Sequence, residues 1–247
     1  MSTTNTDHRW RKSIPNRERL IFALDVPDAA RARELIHQLG DEVVFYKLGL
    51  ELFLSGAYFE LIDELKAANK KIFADLKLFD VPATVGRAVA QLAKQNVDFL
   101  TVHGQDAMLA EAARNKGGVK VLAVTALTSL DRGDLDALGF DCDIAELVLS
   151  RAQRALALGC DGVISSGLEA PRLRACADPA LLVICPGIRP VHNHEQDDQK
   201  RTLSVEQAFK NGADYIVIGR PIRDAADPRA AAAAIQSSIR HAFSGPG

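Results

Sequence analysis

Short runs rich in β-branched and aromatic residues alternate along this chain with longer runs whose apolar positions recur every three or four residues. The short runs read as strands: LIFALDV from Leu20, VVFYKLG from Val43, KIFADLK from Lys71, FLTVHG from Phe99, VKVLAVT from Val119, GVISS from Gly162, LLVICPG from Leu181 and YIVIGR from Tyr215. Among the helical runs are DAARARELIHQLG from Asp28, AYFELIDELKAAN from Ala57 and DIAELVLSRAQRALALG from Asp143. A 3.6-residue apolar period buries one helix face, whereas a short continuous apolar run suits a strand buried on both faces. Asp28 and Asp143 stand where an N-cap carboxylate accepts a first-turn N–H. Gly40, Gly159 and Gly212 stand where a helix closes on a C-terminal cap.

Strands that alternate with helices pair in parallel, and eight such units close into a single-domain α/β structure, a (β/α)8 barrel of the TIM type. An open doubly wound sheet is the competing architecture. Against it, the first strand is followed by LDVPDAA rather than a GxGxxG turn. The length of 247 residues suits one barrel. The barrel is expected over residues 17–247, and residues 1–16 are expected to form a polar N-terminal extension without an apolar signal core. The extension holds the only tryptophan, Trp10, for which the sequence offers no role.

Composition narrows the partners. With 47% hydrophobic residues, 25% charged residues and a formal net charge of −2, the surface has no dominant sign, and the 30 Lys and Arg are dispersed. Nucleic acid is therefore not an expected partner. No apolar run reaches the ~18 residues of a membrane span, so no membrane partner is expected either. Cys142, Cys160, Cys176 and Cys185 form no CxxC pair and no Cys/His zinc spacing. They read as reduced thiols packed as small hydrophobes in a cytoplasmic enzyme. His192 and His194, one residue apart on a polar loop, are weak evidence for a metal site, and none is assigned.

Chemistry gathers where the strands end, the face on which a barrel of this kind carries its site. Asp25 ends the first run, Lys47 the second, Asp75 and Lys77 the third and His103 the fourth; Thr128 and Ser129 follow the fifth. Singly, each has a plain structural explanation: a turn residue, a snorkelling lysine, a satisfied histidine. Charges on three successive strand ends do not, because helices cover the outside of such a barrel. Asp75 and Lys77 share strand parity with Phe73, so both are expected on one face, with Cα atoms about 6.6–7 Å apart. PGIR, from Pro186 to Arg189, closes the seventh run, and Gly219 with Arg220 closes the eighth. Loops after the last two strands commonly hold phosphate; glycine lets the backbone approach and arginine adds a bidentate partner. The long polar connection HNHEQDDQKRTLS is a candidate lid.

The motifs LDVPD, YKLGLELF, FADLKLFDVPAT, TVHG, VTALTS, PGIRP, DDQKR and IGRPI run in order from Leu24 to Ile222. They resemble the orotidine 5′-monophosphate decarboxylase family in its bacterial form. The resemblance implies decarboxylation of orotidine 5′-monophosphate to UMP without a cofactor, the last step of de novo pyrimidine synthesis. It also implies a homodimer with its active sites at the subunit interface. Carried over by motif, Asp25 holds ribose hydroxyls, and Lys47 bonds the ribose while joining a charged chain with Asp75 and Lys77. Asp80 reaches into the neighbouring subunit's site. Thr128 and Ser129 face the pyrimidine edge; Gln199, Gly219 and Arg220 grip phosphate beside Arg189; Thr84 and Pro186 belong to the substrate-binding set. Two alternatives remain: a magnesium-dependent sugar-phosphate aldolase or decarboxylase with the same DxKxxD core, such as hexulose-phosphate synthase, and a non-catalytic phosphate-binding barrel.

Overall fold

A computed structural model describes residues 11–127, 129–189 and 203–244. Trp10, Thr128, His192, His194 and Gln199 lie outside the described residues. All eight expected strands form: β1 Leu20–Ala23, β2 Phe45–Gly49, β3 Lys71–Leu78, β4 Phe99–His103, β5 Lys120–Val124, β6 Gly162–Ile164, β7 Leu182–Cys185 and β8 Tyr215–Ile218. They pair in parallel in sequence order, and β8 returns to β1 to close the barrel. The helical runs fold as Ala29–Leu39, Tyr58–Ala67 and Ile144–Ala157. Asp28 Oδ1 accepts from the Arg31 N–H at 2.8 Å, and Asp143 Oδ1 accepts from the Glu146 N–H at 2.7 Å. Gly212 ends the helix Val205–Asn211 at φ +112°, a left-handed conformation in which any Cβ would be strained.

Strand alternation divides the apolar residues into two cores. Ile21, Phe45, Phe73, Phe99, Leu122, Ile184, Tyr215 and Val217 point into the barrel. Phe22, Tyr46, Leu48, Ile72, Leu100 and Val121 point outward against the helices. The interior is plugged by aromatic rings: Phe45–Phe99 centroids are 5.0 Å apart, Phe99–Tyr215 5.1 Å and Phe45–Tyr215 5.9 Å. The two pairs with Tyr215 are edge-to-face, and such contacts add about 0.5–1.5 kcal/mol each beyond area burial. These rings sit at the beginnings of β2, β4 and β8 and fill the barrel interior there.

A repeated device fixes the register at the closed end. Asp98, Asp161 and Asp214 each immediately precede a strand, β4, β6 and β8. The backbone N–H of each donates to the carbonyl of Ile72, Val121 or Val183 at 2.8–2.9 Å. Each carboxylate accepts the N–H of that same residue at 2.9 Å. A cation then neutralises it: Lys66 at 3.3 Å, Lys116 at 2.8 Å, and for the buried Asp214 both Arg174 at 2.7 Å and Lys12 at 3.0 Å. Lys12 thereby ties the segment before β1 to the barrel floor, and Ile14 packs against the inner core. Of the thiols, Cys160 and Cys185 are buried, Cys142 is half-buried and Cys176 is exposed.

Candidate active site

At the open end the strands deliver one continuous chain of alternating charge. Lys47, inward on β2, places Nζ 2.9 Å from Asp25 Oδ1 and 3.3 Å from Asp75 Oδ2. Lys77 Nζ lies 2.8 Å from that same Asp75 Oδ2. The order is therefore Asp25, Lys47, Asp75, Lys77, with one carboxylate oxygen shared by two ammonium groups. Gly49 makes room for it: a Cβ there would stand 3.1 Å from Asp25 Oδ1 and 3.3 Å from Lys47 Nζ.

Asp75 and Lys77 do come together on the side of Phe73, as strand parity predicts, but not on the regular pleat which that expectation assumed. β3 and β4 are in register at Ala74↔Leu100 and again at Leu78↔Val102, so four steps on β3 oppose two on β4. β3 bulges, and Lys77 sits at φ +45°, a left-handed conformation uncommon outside glycine, asparagine and aspartate. Lys77 reaches Asp75 because the backbone turns there, not because a regular pleat aligns them. Bulges next to active sites re-aim side chains in this manner.

Burial and charge oppose each other along the chain. Burial alone would lower the Lys47 ammonium, but Asp75 and Asp25 outweigh it and hold Lys47 above its ordinary value. Burial would likewise raise Asp75. The charges of Lys47 and Lys77, with hydrogen bonds from Lys77 and Thr101, hold its carboxyl below the usual range. Lys47 and Asp75 are thus kept ionised, and each has a partner of opposite charge. His103, half-buried against Phe79, is lowered by burial and by the charges of Arg151 and Lys77.

A cavity of about 330 Å³ opens over these charges. Asp25, Lys47, Asp75 and Lys77 line one part of it; Pro186, Gly187, Arg189, Gly219 and Arg220 line another. Gly187 has φ +78°. Gly219 packs closely instead: a Cβ there would stand 3.3 Å from that of Ala23. The Arg189 N–H donates to Leu203 O at 2.9 Å, which joins the two ends of the long loop beside the cavity. Anion-binding groups at one side and alternating carboxylates and ammoniums at the other suit a small phosphorylated ligand whose reacting end is charged.

Not every expected residue comes to this cavity. Asp80 is exposed and accepts from its neighbour Val81 N–H at 2.6 Å. Thr84 is half-buried on the helix Pro82–Lys94, and its hydroxyl accepts from Arg87 at 3.1 Å. Ser129 is exposed. None of the three lines the cavity of this chain. Conversely, sequence reasoning passed over most of the apolar walls, among them Val124, Ile164 and Val217, which follow from inward parity on their strands. It also missed Arg223, whose Nη1 donates to Asp25 O at 2.7 Å, a contact carried by no local pattern.

Comparison with known proteins agrees with this geometry. Residues 18–235 match the family model described as "Orotidine 5′-phosphate decarboxylase / HUMPS family". The chain is 64% identical to the orotidine 5′-phosphate decarboxylase of Methylococcus capsulatus, over 94% of this chain and 96% of that relative. It is 50% identical to that of Stenotrophomonas maltophilia, over 92% and 94%. Among solved structures, orotidine 5′-phosphate decarboxylase from Lactobacillus acidophilus superposes with a TM-score of 0.79 at 35% identity, covering 90% of this chain and 99% of that one. The chain thus belongs to the orotidine 5′-phosphate decarboxylase / HUMPS family, and it is a carboxy-lyase that converts orotidine 5′-monophosphate to UMP and CO2 in pyrimidine biosynthesis.

Proposed function

We propose that Lys77 carries the chemistry of this decarboxylation, and that Asp25, Lys47, Asp75 and Asp80 organise the charge around it. When the bond between C6 and the carboxylate breaks, CO2 departs and the electron pair stays on C6 in an sp² orbital that the ring cannot delocalise. A fixed positive charge must meet that pair directly. The Lys77 ammonium does so, then transfers a proton to C6 and regains one from solvent. Asp75 keeps Lys77 aimed and presses on the departing carboxylate. The observation that carries this reading is Asp75 Oδ2 shared between Lys47 and Lys77 at the mouth of the cavity.

Magnitudes rank the contributions. Two like charges about 4 Å apart at an effective dielectric near 20 repel by about 4 kcal/mol. That is worth about a thousandfold in rate, while enzymatic accelerations commonly require about 8–23 kcal/mol. Ground-state repulsion by Asp75 is therefore the smaller part. Preorganised stabilisation of the carbanion, with binding energy from phosphate and ribose, supplies the rest. In this reading Asp25 and Lys47 hold the ribose. Gly219, Arg220, Arg189 and Gln199 hold the phosphate, Thr128 and Ser129 meet the pyrimidine edge, and Thr84 and Pro186 complete the substrate-binding set.

Asp80 belongs to the site of a second subunit, in a homodimer that works in the cytoplasm without cofactor, nucleic acid or membrane. Exposed Phe79, Val81 and Leu127, all on segments that follow strand ends, support such an interface. The test is the fall in ultraviolet absorbance when purified protein meets orotidine 5′-phosphate in the presence of EDTA. Wild type is expected to turn over fully and Lys77→Ala not at all while remaining folded. Turnover by folded Lys77→Ala would end the assignment, and EDTA-sensitive turnover would show that the reaction needs a metal ion.

A further inference from the structure

We propose that Thr101 is a positioning residue for the reaction: its single hydroxyl locks the Asp75 carboxylate and the bulged Lys77 backbone into the one arrangement that aims the ammonium at C6. This inference rests on the role proposed for Lys77. Thr101 lies inward on β4, in the stretch where β3 loses regular pairing, and it is fully buried. Its Oγ1 accepts the Lys77 N–H at 2.9 Å and donates to Asp75 Oδ1 at 2.9 Å.

The direction of these bonds follows from chemistry. A backbone N–H only donates, so the hydroxyl must accept from Lys77; an ionised carboxylate only accepts, so the single hydroxyl proton goes to Asp75. One oxygen therefore couples the two groups, and neither can shift without breaking a bond inside a buried site. The coupling answers two questions that the Asp75–Lys77 ion pair leaves open. Lys77 holds φ +45°, a conformation that persists only where the surroundings over-determine it. Capture of its N–H by Thr101 stands in for the ladder bond that the bulge removes. Asp75 spends Oδ2 on two lysines. Without a bond to Oδ1 the carboxylate could rotate and exchange its oxygens, carrying Lys77 with it. Thr101 pins that rotation from the side away from the lysines.

The proposal separates positioning from packing. Thr101→Val keeps the shape and removes both bonds, while Thr101→Ser keeps both bonds and removes a methyl group. Valine is expected to lower kcat by about a hundredfold with KM for orotidine 5′-phosphate changed less than about threefold, since the phosphate contacts lie elsewhere and Lys47 keeps its bond to Asp25. Serine is expected to stay within about fivefold of wild type in kcat. Circular dichroism and UMP binding check the fold. Should valine prevent folding, Thr101→Cys, whose thiol is a weak donor and acceptor, takes its place with the same expectation. A folded valine or cysteine variant with wild-type kcat would overturn the proposal, as would a folded serine variant as slow as valine. Lys77→Ala run in parallel keeps the two claims apart. If it stays active the catalytic reading itself fails, and if it is dead while valine is fully active only the role of Thr101 fails.

Discussion

At the scale of single residues, the site is a balance between burial, which opposes charge, and partners, which sustain it. Asp75 is buried yet held below its ordinary carboxyl value, so its ionised form stabilises the fold. A depressed carboxyl contributes stability above the unfolded pKa of about 3.9, and loses it as pH falls through the lower folded value. Asp75→Asn leaves Lys47 and Lys77 facing each other and is expected to cost about 3 kcal/mol near neutrality, read by urea unfolding. That deficit should shrink as pH drops below about 4, where the wild type surrenders the same contribution. A deficit that is constant with pH would contradict the linkage. Gly49→Ala crowds Asp25 and Lys47 and should lower kcat/KM by about tenfold while leaving the strand intact, measured with the absorbance assay.

At the scale of elements, the barrel separates stability from chemistry by placing them at opposite ends. The Asp98, Asp161 and Asp214 clamps sit before their strands, whereas the ion chain sits toward the C-terminal ends of β1, β2 and β3. Removing a clamp should therefore weaken the fold without touching turnover. Asp161→Ala is expected to cost about 1–3 kcal/mol. Asp214→Ala should cost about 3–5 kcal/mol, because Arg174 and Lys12 lose a buried partner. Thermal and urea unfolding measure both, with kcat at ambient temperature expected to match wild type. A drop in kcat for folded Asp161→Ala would show that the two ends are coupled. Most elements were legible beforehand: the eight strands, the caps at Asp28 and Asp143, and the glycine stop at Gly212 follow from periodicity and local hydrogen bonding. The bulge in β3 was not. KIFADLKL alternates well enough to pass as a regular strand, and where it departs the Lys77 N–H bonds instead to the Thr101 side chain on the neighbouring strand.

At the scale of the whole molecule, the cavity of a single chain does not include Asp80, Thr84 or Ser129, and large apolar side chains stand exposed beside its mouth. Phe79 and Val81, which flank Asp80, are 59% and 63% exposed. A two-fold assembly that buries them would carry Asp80 toward a neighbouring site. Val81→Glu is expected to shift the protein toward monomer in sedimentation and to reduce activity in proportion. Mixing Asp75→Ala with Asp80→Ala subunits should restore activity, because one site of each heterodimer then holds both wild-type acids. Proven heterodimers without recovery would refute a shared site.

Fold class and the gathering of Asp25, Lys47, Asp75 and Lys77 where strands end could be read from the chain alone, because alternation, caps and strand-end charges are local and need no knowledge of what lies opposite. Which oxygen serves which lysine, why Lys77 adopts a left-handed backbone, and how Arg223 and Thr101 support the charged chain came only from closure of the barrel. Those contacts join strands or loops far apart in sequence, 24 positions for Lys77 and Thr101 and 198 for Arg223 and Asp25. No periodic pattern encodes a hydrogen bond between residues that meet only after every intervening strand has found its register.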